Sequence, residues 1–120
     1  MYTNTGFNYT SLGCYLDKEK GSRAIPSLEG KSELLDGKYR RRKNAIEKCA
    51  ELAYSLNFTV FAISRGGECL SSESANETYF LYGNSSNCGA NGKGGLKPRT
   101  MMVLHADAYG LFCSFSACIG

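Results

Sequence analysis

The sequence has no tryptophan, one histidine (His105), two prolines and no apolar run long enough to cross a membrane as a helix. A spanning helix needs about 20 successive apolar residues. Even the closing stretch Leu111-Phe112-Cys113-Ser114-Phe115-Ser116-Ala117-Cys118-Ile119-Gly120 is too short. A single imidazole excludes every site built on two histidines, the common catalytic zinc arrangements among them, and there is no Cys-x2-Cys spacing to replace it. The acidic residues are dispersed and match no EF-hand loop, which argues against calcium. His105, Asp107 and the many serines do not add up to a hydrolase, because no Gly-x-Ser-x-Gly elbow is present. Gly30-Lys31-Ser32 ends like a phosphate-binding loop, but Ile25 stands where its first glycine is required. The net charge of +3 is far below that of a dedicated nucleic-acid binder. Neither an enzyme nor a cofactor is expected.

What remains is a chain of 120 residues with 42% apolar and 21% charged residues, enough for one folded domain and its core. It carries six Cys, 14 Gly and 8 Tyr. The triplet Asn-x-Ser/Thr occurs at Asn8, Asn57, Asn76 and Asn84, where the 8 Asn and 19 Ser plus Thr would give about one by chance. An even cysteine count fits an oxidising compartment in which all six thiols pair. No charged and then apolar leader opens the chain, so it reads as a mature secreted protein with four candidate glycosylation sites.

Residues 1–12 are polar and aromatic without period and read as an N-terminal arm. A short strand is expected from Gly13, a charged turn over Lys18–Ser22, and a second extended piece at Arg23-Ala24-Ile25-Pro26, since the residue before proline avoids the helical region. Glu29–Tyr39 contains Gly30 and Gly37 and reads as loop. Ile46, Cys49, Ala50, Ala53 and Leu56 then recur at helical spacing behind an Asn44-x-x-Glu47 capping box, with Asn57 as a left-handed stop. Phe58–Ile63 is β-branched and aromatic and predicts a buried strand closed by Gly66-Gly67. Ser74-x-x-Glu77 predicts a second capping box and a short helix through Tyr79, Phe80, Leu81 and Tyr82, stopped by Gly83. Gly89–Gly95 reads as a flexible loop and Met101–His105 as the last strand. The expected class is α+β: a small disulfide-stabilised domain, with one main helix packed on a small, mostly antiparallel sheet.

Six cysteines allow fifteen pairings. A bond between Cys49, on the apolar helix face, and Cys69, just past the buried strand, would pin helix to sheet. Cys14 and Cys88 would then tie the first strand to the segment before the last. Cys113 and Cys118 are close enough to pair locally, and the alternative is a bond from this terminal tail to another chain.

Gly13-Cys14-Tyr15 with Asp17, Arg23-Ala24-Ile25-Pro26, Leu35-Asp36-Gly37-Lys38-Tyr39, Ala45-Ile46-Glu47-Lys48-Cys49 and Val60-Phe61-Ala62 leading to Gly67-Glu68-Cys69 together resemble a WSC-type module. More closely, they are similar to extracellular domains repeated in secreted proteins of cnidarians and other marine invertebrates. Tyr79–Gly83, Cys88 and Gly92–Gly95 continue the likeness. Ser71 and Ser72 stand where WSC modules carry a further cysteine. The likeness divides the chain into the arm 1–12, a module over 13–105 and an apolar, cysteine-containing tail over 106–120. It implies an extracellular, non-enzymatic module that binds glycans or serves adhesion and matrix assembly.

The candidate ligand-binding residues follow from charge and aromatic content. Arg40-Arg41-Arg42-Lys43 is the strongest charge run, and clustered cations attract sulfated glycans or acidic lipid heads. These cations also sit unfavourably near the positive end of the helix that follows. Sugar rings stack on aromatic faces; without tryptophan that role would fall to tyrosines such as Tyr39, Tyr79 or Tyr82. Tyr39, Arg40, Arg42, Tyr79 and Tyr82 are therefore the candidates. The expected partners are glycans or matrix components, with self-assembly into a matrix or filament through the tail as the second reading.

Overall fold

A computed structural model describes residues 7–17, 23–88 and 99–108. In chain order its elements are β1 (Phe7–Leu16), a 3-10 turn (Tyr39–Arg41), α1 (Ala45–Ser55), β2 (Val60–Ser64), β3 (Glu68–Ser71), α2 (Ala75–Thr78) and β4 (Thr100–Ala108). The four strands form one sheet in the order β1-β4-β2-β3, with every neighbouring pair antiparallel. Two disulfides, Cys14–Cys88 and Cys49–Cys69, occur among the described residues. This is a small disulfide-stabilised α+β domain.

The sheet is covered on both faces, which explains the uninterrupted apolar run of β2. All five of its residues are buried. Phe61, Ile63 and Leu104 face α1, where they pack with Cys49, Ala50, Leu52 and Ala53. Val60, Ala62, Leu70, Met101 and Val103 face the opposite way, against Ala24, Ile25 and Ala75, with Tyr15, Tyr79 and Tyr82 at the margin. Cys49–Cys69 lies inside the first cluster and joins α1 to β3. The exposed edge of β3 is closed by Ser27, which bridges Leu70.

The segments that carry Asp17, Arg23 and Glu68 meet in space. Arg23 donates from Nε and Nη2 to Asp17 Oδ2 at 3.1 and 2.9 Å, and the Ala24 amide donates to Asp17 Oδ1 at 3.1 Å. Arg23 also reaches Glu68 Oε2 at 3.3 Å, so one guanidinium serves two buried carboxylates.

Several expectations change. β1 begins at Phe7, so the strand extends back over residues 7–12, and β4 continues past His105 to Ala108. Residues 7–11 gain this order by pairing with Ala108 through Leu104, a long-range partnership that local composition does not reveal. Asn44 does not cap α1 with its side chain: its backbone is left-handed (φ 55°), which turns the side chain out of the capping geometry. Asn57 does adopt the left-handed conformation expected of a stop (φ 63°). Leu52 rather than Leu56 completes the buried helix face, and Leu56 is 44% exposed. Ser74 makes no side-chain cap, and α2 ends at Thr78, leaving Tyr79–Tyr82 in a turn. β3, which has no expected counterpart, pairs with β2 across a tight hairpin in which the Gly67 amide donates to the Ser64 carbonyl at 3.0 Å. Arg65 and Gly66 take positive φ (51° and 84°), the combination that a type I′ turn requires. The turn at 18–22, the loop at 89–95 and the tail from 109, with Cys113 and Cys118, lie outside the described residues.

Candidate ligand-binding cleft

The basic run does not act as one unit. Arg42 is withdrawn from solvent, with no exposed side-chain area, and its Nη1 and Nη2 each donate to a Glu29 oxygen at 2.7 Å. Its Nε donates to the Asp36 carbonyl at 3.1 Å and its Nη1 to the Gly67 carbonyl at 2.9 Å. Glu29 in turn accepts the Cys69 amide at 2.9 Å. The Glu29 carboxylate raises the pKa of Arg42 further above its ordinary value. The hydrogen bonds of Arg42 are thus turned inward, where it clasps the loop 29–38 to the β2–β3 hairpin.

Its neighbours point the other way. Lys38, Arg40, Arg41 and Lys43 are all exposed. Among the described residues none of the four has a carboxylate partner. By contrast Arg23, Arg42 and Lys48 are each paired, Lys48 with Asp36 at 2.9 Å. That hydrogen bond holds the Asp36 carboxyl below the usual carboxylate range.

The exposed cations line a cleft in two lobes. The first, about 410 Å³, is walled by Gly37, Lys38, Tyr39, Arg40 and Arg41. The second, about 290 Å³, shares Gly37, Lys38 and Arg41 and adds Asp36, Arg42, Lys43 and Lys48. The floor is fixed from several directions. Leu28 and Leu35 plug the loop into the helix-side core. The Arg41 amide closes the 3-10 turn on the Lys38 carbonyl at 2.9 Å. Gly67 sits so close beneath Tyr39 that any Cβ there would collide with the Tyr39 carbonyl oxygen. Tyr39 is half-buried, and its hydroxyl accepts from Arg65 Nη1 at 3.2 Å.

Tyr39 and Arg40 thus meet in one cleft, whereas Tyr79 and Tyr82 do not join them. Both pack against the core on the far face of the sheet, Tyr79 with its ring edge-on to Tyr15 at 5.0 Å. Sequence reasoning overlooked Lys38 and Gly37 as lining residues; the signal was the cation just ahead of Tyr39, which extends the basic run backward. Three sequon asparagines, Asn57, Asn76 and Asn84, are exposed, and Asn8 lies on β1. His105 lies inside β4, in register with Thr10 on one side and Val60 on the other. No group of three or more metal-ligating side chains occurs among the described residues, and no helix among them is long and apolar enough to cross a membrane. No family model, curated protein or solved structure matches the chain.

Proposed function

We propose that the chain is a secreted, non-enzymatic module of the WSC-like kind that recognises acidic carbohydrate through the cleft over Gly37–Lys43. One observation carries this reading: four exposed cations, none with a carboxylate partner among the described residues, converge on a cleft whose backbone is held from below by a buried ion pair. Leaving four like charges close together at the approach to α1 costs electrostatic energy. An anionic partner offsets that cost. Tyr39 supplies an aromatic face in the first lobe, and that lobe's volume falls within the range of small-ligand sites. The two disulfides are consistent with an extracellular setting, and the three exposed sequon asparagines add to it.

The test is a binding titration of the whole chain with three polysaccharides at low salt: one sulfated, one carrying only carboxylates and one neutral. The reading expects binding to at least one acidic polymer and none to the neutral one. Absence of binding to every acidic polymer up to about 100 µM would remove it.

A further inference from the structure

The two lobes of the cleft differ in what they offer a ligand, and that difference specifies the ligand. In the first, Lys38, Arg40 and Arg41 share the lining with Tyr39, and no carboxylate is among the lining residues. In the second, Asp36 is occupied by Lys48, and Arg42 is spent on Glu29. Lys38, Arg41 and Lys43 are left there for a partner. Lys38 and Arg41 line both lobes, whereas Arg40 lines only the first and Lys43 only the second.

We infer that the lobes are adjacent subsites for two anionic groups of one sulfated glycan chain, with Arg41 and Lys38 shared between them; this rests on the acidic-carbohydrate reading above. A guanidinium fork grips a tetrahedral oxyanion through two parallel hydrogen bonds and leaves a third oxygen for a neighbouring ammonium. A sulfate ester presents those three oxygens, whereas a carboxylate presents two. Four exposed cations lie within six residues and have no carboxylate partner among the described residues. They fit a chain charged on successive sugars. Tyr39 takes the ring between charges in the first lobe.

The test uses sulfated oligosaccharides of two and four sugars, a uronate-only tetrasaccharide, inorganic sulfate and a short DNA duplex, titrated into the wild-type chain and into Arg40→Ala, Arg41→Ala and Lys43→Ala. The sulfated tetrasaccharide is expected to bind at least about tenfold more tightly than the uronate tetrasaccharide, the sulfated disaccharide and inorganic sulfate. Each single substitution is expected to weaken it by about 3- to 10-fold, Arg41→Ala the most. Equal affinity for the sulfated and uronate tetrasaccharides overturns the inference while leaving the carbohydrate reading in place. So does a Lys43→Ala variant that binds like wild type. Equal affinity for DNA overturns the inference by showing a site that counts charge alone. Failure of every glycan to bind removes both readings.

Discussion

Arg42 and Glu29 meet as a two-pronged pair, both bonds 2.7 Å long, with the Arg42 side chain fully enclosed and Glu29 22% exposed. The pair divides four consecutive basic residues into one that builds the cleft floor and three that line its mouth. Removing one member of a buried pair leaves the other without compensation, at a cost of about 3 to 5 kcal/mol. Arg42→Ala should therefore destabilise the domain by about 3 kcal/mol in urea unfolding, the low end because Glu29 retains some water. Arg40→Ala should change stability by less than about 0.5 kcal/mol. Similar effects from the two substitutions would mean that the basic run is not divided in this way.

Gly67 couples the hairpin to the cleft. Because a Cβ would overlap the Tyr39 carbonyl oxygen, Gly67→Ala must push the 3-10 turn away from β3 or distort the hairpin. A loss of about 1 to 3 kcal/mol is expected, accompanied by weaker binding of acidic glycan, although Gly67 is not one of the residues that line the cleft. Wild-type affinity in this variant would show that the turn is not positioned from below.

The two disulfides should open in a fixed order. Cys49 and Cys69 have no exposed area, whereas Cys14 is half-buried, and thiolate attack requires access to sulfur. Graded reduction followed by alkylation and peptide mapping should label Cys14 and Cys88 first. Replacing Cys49 and Cys69 together by alanine, which opens a separation of 20 residues, should cost about 3 kcal/mol in the chain-entropy account. Early labelling of Cys49 would contradict the burial of that bond.

Tyr9 sets an alkaline limit. Burial, reinforced by the bond that its hydroxyl donates to Glu47 Oε2 at 3.0 Å, holds the Tyr9 phenol above its ordinary value. A raised folded-state value means that the added stability is complete below the unfolded titration, at about pH 10, and is lost as pH climbs through the folded value. Wild type should therefore lose more stability than Tyr9→Phe above about pH 10, measured as urea midpoints across that range. Below it Tyr9→Phe should be weaker by about 1 kcal/mol for the missing bond. Parallel pH profiles for the two proteins would contradict this assignment.

How far the sequence disclosed this arrangement depended on the range of each interaction. The helix at Ala45–Ser55 and the strand at Val60–Ser64 were legible because apolar spacing reports burial locally. β3 was not: Glu68 interrupts its apolar character, and its burial depends on Arg23, which is 45 residues distant. Asn44 illustrates a second failure, since the capping rule assumes an extended backbone and this residue is left-handed. At the cleft, Tyr39 and Arg40 were legible from residue type. Nothing in the run Arg40-Arg41-Arg42-Lys43 marks the third member as buried, because its partner Glu29 lies 13 residues upstream across a loop. Tyr79 and Tyr82 were chosen for their rings, and the fold uses those rings in packing.

The proposal that the turn at 38–43 is a recognition surface meets its most direct test in one comparison. The dissociation constant for a sulfated polysaccharide is measured for wild type and for the double variant Arg40→Glu/Arg41→Glu, with urea unfolding of both as the control for folding. The account predicts affinity reduced by about 100-fold or more with an unchanged unfolding midpoint. Equal affinity in two equally stable proteins would contradict it.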